Sequence, residues 1–326
     1  ITIPDAYLDE AARNADLRHV TGAMRTPMPI GIAAEEMGKR LHAAVNLGVI
    51  ERISLPAPAL PCGLPHEGET FAAIGMPDDR KVTIDGEAIV ADGTGVIVGI
   101  IDDGVSLAHA NFIDDKLHSR ILSIWDQGRG PHGAHWQALP DFPYGSELVN
   151  APTASDPAPI DAALAGHVLP DGRIDEDAVY EALDYFPYST IEGRAFDPST
   201  HGTHVLDAAA GNGRALGGAQ GVASNADIVF VQLPPELVAA GGAVLTKLIE
   251  DGALYVFRRA EARAQALGRP VPAVVNVSFG NHTGPHDGTP ATEKALDALP
   301  AVPDREIVSA ARTGFAADCH ATGLVQ

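Results

Sequence analysis

Val96-Ile97-Val98-Gly99-Ile100-Ile101-Asp102-Asp103-Gly104 is the stretch on which the fold turns. Its opening half holds only aliphatic side chains and one glycine. A run of that kind, without alternation, predicts a strand covered on both faces, as in a parallel sheet packed between helices. The run stops at two acids and a glycine. In open α/β sheets, ligands and reacting groups gather outside the carboxyl ends of the strands. Asp102 is therefore a candidate for orienting a base, and Gly104 lets the chain turn sharply away. Alone the signal is weak, because acids at strand ends are common.

Downstream the chain alternates between two periods. His201 to Ala210 is rich in small residues and predicts a helix, and Asp227 to Leu233 predicts a second strand. Ala243 to Ala266 predicts a long amphipathic helix with Val244, Leu245, Leu248, Ile249 and Phe257 on its buried side. Ala273 to Phe279 predicts a third strand, Thr289 to Leu299 a helix, and Ile307 to Ala310 a fourth strand. Strands alternating with helices predict an α/β fold with a doubly wound, mainly parallel sheet. Residues 113–198 break this rhythm with both tryptophans, several prolines and the acidic stretch Asp171 to Tyr180. They are expected as an insertion on the rim of the sheet, ordered around Trp125, Trp136, Tyr180 and Phe186.

Upstream, Ala33 to Leu47 places Met37, Leu41, Ala44 and Val45 on one helical face, with Gly48 to end it. Val49 to Ser54 alternates like a short strand, and Pro56, Pro58, Pro61 and Pro65 mark an extended linker after it. The organisation expected is an accessory segment with linker over 1–70 and the α/β domain over 71–326.

The 326 residues are 45% hydrophobic, enough for a sizeable core. With 43 acidic and 22 basic side chains the net charge is -21. That balance argues against a protein that tracks nucleic-acid phosphates or binds an anionic membrane, and solubility accounts for it. The two cysteines, Cys62 and Cys319, form no disulfide framework and no zinc-ligand spacing. No signal peptide and no apolar run long enough to span a membrane occurs, so the sequence assigns no compartment.

The second chemical feature is His201-Gly202-Thr203-His204-Val205, opening a helix just after a loop. A histidine there presents its ring at the sheet edge, and the glycine behind it leaves room for close packing. A capping or locally bonded histidine explains the same letters. Two other chemistries fit less well. His201 and His204 with Asp102 and Asp103 lack the glutamate of a His-Glu-x-x-His metal site. Gly93-Thr94-Gly95 precedes its strand, whereas a phosphate-cradling loop comes after one. No metal ligand is assigned.

Asp before His is the order found in subtilisin, where a serine comes last. Val98 to Val105, continuing to His109, resembles the aspartate motif of the subtilisin-like (subtilase, S8) serine peptidase family. His201-Gly202-Thr203-His204-Val205 resembles its histidine motif, Gly221-Val222-Ala223 its following stretch, and Val275-Asn276-Val277-Ser278-Phe279-Gly280 its substrate-side strand. The resemblance covers about 95–326 apart from the insertion. Trp125-Asp126-Gln127 and Tyr144-Gly145 also look like a bacterial subgroup that includes the clostridial spore-germination proteases. The family resemblance implies peptide-bond hydrolysis by an Asp-His-Ser triad, with Asp102 and His201 catalytic. Ser278, Phe279 and Gly280 would pair with an extended protein or peptide substrate as an added strand. No cofactor is required, and a structural calcium, with no ligands assigned, accords with the family. Residues 1–70 are similar in place to the prodomain such proteases carry.

Two departures stand out. The Gly-Thr-Ser-x-Ala-x-Pro motif that carries the serine is absent, and Gly288-Thr289-Pro290-Ala291 has proline where serine belongs. Of eleven serines only Ser309 comes after the substrate strand, within a predicted strand of its own. The expectation is a catalytic domain incomplete at its C-terminus, inactive alone, and completed by further sequence or a second chain. Arg312-Thr313 stands where the family has Gly-Asn, so the oxyanion position falls to Thr313. Losing one such donor costs about 2.7–4 kcal/mol in subtilisin. That leaves an alternative, a pseudoprotease that binds a peptide or protein partner without cleaving it.

Overall fold

The computed structural model describes residues 71, 75–77, 79–84, 86–185, 190–191, 194–195, 199–215, 220–234, 242–278 and 291–310. All lie within the unit Glu67–Gln326. The helix over Ala33 to Leu47 and the strand after it fall outside the described residues, as does Phe186. In chain order the strands are β1 (Lys81–Ile84), β2 (Glu87–Val90), β3 (Ile97–Asp102), β4 (Ile121–Asp126), β5 (Ser146–Val149), β6 (Thr190–Ile191), β7 (Arg194–Ala195), β8 (Asp227–Gln232), β9 (Ala273–Val277) and β10 (Arg305–Ser309). The helices are α1 (Pro159–Gly166), α2 (Glu176–Ala182), α3 (Ser199–Ala210), α4 (Gly242–Leu267) and α5 (Ala291–Ala298).

Six strands form one sheet in the order β10-β9-β3-β8-β4-β5. Every neighbouring pair is parallel except β4 with β5. The mixed α/β architecture with a mainly parallel sheet flanked by helices is the one the alternation predicts. β1 with β2 and β6 with β7 are separate antiparallel pairs.

β3 is the centre of the sheet and is buried at all six positions. Its side chains divide between two cores. Val98 and Ile100 join Leu206 and Ala210 of α3, with Ile228 and Phe230 of β8 and Tyr180 of α2. Ile97 and Ile101 join Val256, Phe257 and Ala260 of α4, with Val229 and Val231 of β8. At about 1.5–3 kcal/mol for each large aliphatic or aromatic side chain removed from water, these two layers are the main favourable contribution. Gly99 faces the α4 layer, where an added Cβ would lie 2.5 Å from Val256 Cγ1. The helix thus rests directly on the strand backbone. As expected on α4, Leu248 and Phe257 are buried and Leu245 and Ile249 pack at the margin. The side chain of Val244 lies outside the described residues.

Residues 113–198 require a correction. Two of their strands, β4 and β5, lie at one edge of the sheet, but β4 is an internal strand of it, between β8 and the edge strand β5. Ile121, Ile124 and Trp125 are fully buried, as is Ser123. The strand escapes a periodicity reading because Ser123 and Asp126 interrupt its apolar letters, and a shift of register between Ile121 and Ser123 breaks its alternation. Trp125, Trp136 and Tyr180 are buried, as expected of the residues that order this region. No described helix is long and apolar enough to cross a membrane.

Candidate functional site

The parallel register puts the carboxyl ends of β3, β8 and β4 side by side. Asp102 pairs with Gln232, and Gln232 pairs with Asp126. All three side chains are buried. Onto this row comes the first turn of α3. Gly202 makes the approach possible: a Cβ there would fall 2.1 Å from the Gly104 carbonyl oxygen and 3.0 Å from Asp102 Cβ. Only a residue without a side chain lets the helix start so close to the strand end.

Two further bonds hold the helix in place. The Gly202 amide donates to Asp103 Oδ1 at 3.1 Å, and the Ser106 amide donates to Thr203 Oγ1 at 2.9 Å. They satisfy an orphan amide of the helix start and tie the loop after β3 to α3.

The consequence is an aspartate–histidine pair. His201 Nδ1 lies 2.8 Å from Asp102 Oδ1, between an imidazole about half exposed (53%) and a carboxylate with no exposure (0%). The hydrogen bond to Asp102 raises the His201 pKa above its ordinary value, against the opposing effect of burial. Asp102 Oδ1 also accepts the Asp103 amide at 2.8 Å, whereas Oδ2 is buried without a hydrogen-bond partner. Burial, with the neighbouring charge of Asp102, pushes the Asp103 carboxyl up to about 7.

A polar network braces the loop behind the pair. The Tyr185 hydroxyl lies 2.8 Å from the Val105 carbonyl oxygen and 3.0 Å from Gln232 Oε1, and it accepts from the Val105 amide at 3.3 Å. Gln232 Nε2 donates to Asp126 Oδ2 at 3.3 Å, and the Gly128 amide donates to Asp126 Oδ1 at 2.8 Å. Burial raises the Asp126 pKa. The tyrosine itself is stacked on Trp136, with ring centroids 6.0 Å apart. Sequence reasoning assigned no role in the site to Tyr185, Gln232, Asp126 or Thr203, although Asp126 and Thr203 fall within motifs it quoted. The end of the second predicted strand was the available signal, since the rule that favoured Asp102 applies equally to Gln232 and Asp126.

On the other side of β3, Ile101 pairs with Val277, so Ser278 comes next, at the level of Asp102. Its hydroxyl accepts from Asn276 Nδ2 at 2.8 Å. Phe279, Gly280 and Thr313 lie outside the described residues. Ser309 closes β10, as expected of a strand residue. His204 is exposed on α3.

Among the described residues, Asp102, Asp103 and His201 bring ligand-type atoms within 4.8 Å of one another. A cation that took His201 Nδ1 as a ligand would displace its hydrogen bond to Asp102. The arrangement fits a proton acceptor: a half-exposed imidazole with its tautomer fixed by a buried carboxylate.

The family comparison agrees with this chemistry. The model of the family described as the subtilase family, Peptidase S8, matches residues 93–312. Among solved structures, the chain is similar to the CspB protease of Clostridium perfringens, with 21% identity and a TM-score of 0.46. The match covers 67% of this chain and 36% of that one, so the present sequence spans about a third of the clostridial chain. No curated protein sequence matches.

Proposed function

The chain belongs to the subtilase family, and from that premise we propose that it supplies the aspartate and histidine of a serine endopeptidase. A peptidase domain of this family acts on proteins or peptides. The observation that carries the proposal is the 2.8 Å bond between His201 Nδ1 and the wholly buried Asp102. In this reading Asp102 fixes the tautomer and stabilises the imidazolium as it forms. With Nδ1 committed to Asp102, Nε2 takes the proton of a serine hydroxyl as it attacks the scissile carbonyl. The same nitrogen then returns the proton to the leaving amine. The serine comes from outside these 326 residues, on the same polypeptide or on a second chain. In the same reading substrate binding falls to Ser278, Phe279 and Gly280, and the oxyanion role to Thr313.

A second reading is a pseudoprotease that binds a peptide or protein partner. Arg312-Thr313 favours it, because a bulky cation and a short hydroxyl replace a glycine and an amide donor. Asp102 and His201 together favour the enzyme, since binding alone needs neither. Labelling the natural gene product with a fluorophosphonate and reading its intact mass separates the two. One covalent adduct, lost in His201→Ala, is the outcome expected of the enzyme. A folded protein that takes no label is a pseudoprotease.

A further inference from the structure

Asp102 Oδ2 poses a question that the aspartate–histidine pair does not answer. It is buried and without a hydrogen-bond partner. A buried carboxylate oxygen left unpaired is costly, more so than a neutral group. The other oxygen, Oδ1, already takes both His201 Nδ1 and the Asp103 amide. Among the described residues, His201 on α3 and Asp103, next along the chain, cluster with this carboxylate. His201 is spent on Oδ1. Asp103 is held in place by the Gly202 amide on its Oδ1, and one of its carboxyl oxygens lies within 4.8 Å of the ligand-type atoms of Asp102 and His201.

We infer that Asp103 is a positioning residue of this site, whose neutral carboxyl donates a hydrogen bond to Asp102 Oδ2, so that the two acids present one negative charge to His201. Two carboxyl groups this close in a half-buried site do not both ionise readily; one keeps its proton. The raised Asp103 pKa accords with this, and its opposing influences are the Gly202 amide and the charge of His201. The proton then has two homes. With Asp103 neutral, His201 faces one carboxylate and can be the free base that acyl transfer needs. With Asp103 ionised, a second negative charge holds the proton on the imidazole. No covalent bond changes except the O–H and N–H that carry this proton. The acid beside Asp102 thereby sets the pH at which His201 becomes a base, and the two groups titrate as a pair. This deepens the reading of Asp102 and His201 as the basic half of a triad, and its test needs no turnover.

The experiment is a histidine-¹⁵N NMR titration of the full chain, with His201 assigned by its loss in His201→Gln. Asp103→Asn keeps an oxygen for the Gly202 amide and offers Asp102 Oδ2 a permanent amide donor. The wild type is expected to titrate in two overlapping steps. Asp103→Asn is expected to show one step, its midpoint lower by on the order of one pH unit, the size of effect a nearby charge exerts. A residue that merely caps α3 would leave the midpoint alone, so superimposable curves overturn the inference. If Asp103→Asn does not fold, infrared difference spectra of the wild type decide the matter. A protonated-carboxyl band that disappears together with the His201 step supports the shared proton. Its absence overturns it. Either failure leaves the fluorophosphonate result, and with it the protease reading, untouched.

Discussion

His201 and Asp102, 99 positions apart in the chain, meet at 2.8 Å because Gly202 lets α3 begin against the end of β3. The contact depends on two backbones approaching more closely than any side chain allows. The pair's geometry is therefore set by a residue that has no chemistry of its own.

Replacing that glycine tests the point directly. Gly202→Ala puts a methyl group 2.1 Å from the Gly104 carbonyl oxygen, an overlap that neither backbone can absorb in place. Overpacking of this kind costs about 1–3 kcal/mol. The variant is expected to melt lower and to lose the elevation of the His201 pKa, both read from one series of thermal and NMR titrations. An unchanged His201 midpoint would show that the helix does not need the glycine.

Asp102→Asn removes the acceptor that holds the His201 pKa up. The elevated histidine contributes stability that is fully present below its ordinary value of 6.5 and is lost as pH rises through the folded value. The variant should therefore lose stability on the acid side and much less on the alkaline side. In the serine-bearing enzyme, the rate of acyl transfer should fall about 10⁴-fold, as the wrong tautomer is favoured.

Asp103 shifts stability in the same direction, beginning at a lower pH. Its folded pKa of about 7 lies above the ordinary 3.8, so between these values the folded chain holds a proton that the unfolded chain has released. The stability this gives is fully present below 3.8 and disappears as pH rises through about 7. Denaturant midpoints for the wild type should thus fall between pH 3.8 and about pH 7 relative to Asp103→Asn. Parallel curves for the two proteins would contradict the assignment.

Gly99 makes a comparable demand on the opposite face. Gly99→Ala drives a methyl group to 2.5 Å from Val256 Cγ1 and lifts α4 from the sheet. The expected cost is about 1–3 kcal/mol, seen as a lower denaturation midpoint. The His201 titration should be unaffected, since the change lies on the other side of β3. Gly99→Ala with Val256→Ala should recover part of the loss.

Tyr185→Phe removes the hydroxyl that links Val105 to Gln232. Leaving those buried groups short of a partner should cost about 1–3 kcal/mol. Amide hydrogen exchange should quicken in the loop after β3, because the loop loses the bond on which its position relies. Unaltered exchange at Val105 would rule out the bracing role.

Much of the architecture was legible in the letters, and for a simple reason. β3, α3, β8, α4, β9 and β10 succeed one another with clean apolar runs or helical spacing, and periodicity is a local property that the chain carries in itself. β4 was not legible. Ser123 and Asp126 interrupt it, and what buries it is the covering of its faces by groups from elsewhere in the chain, among them Phe142 and Tyr255 against Trp125.

The site divides the same way. The sequence by itself determined the strand-end carboxylate, the histidine at a helix start, the glycine behind it and the family to which the motifs are similar. Each is written into a few adjacent residues and comes from backbone sterics and hydrophobic period. Only the tertiary structure decided that Asp102 Oδ1 takes both the histidine and the Asp103 amide, and that Oδ2 is buried without a hydrogen-bond partner. It likewise decided that Gln232, Asp126 and Tyr185 form one buried network behind the pair. Hydrogen-bond satisfaction and the protonation of neighbouring acids depend on which distant groups exclude water from them, and that is a property of the packed chain rather than of any segment.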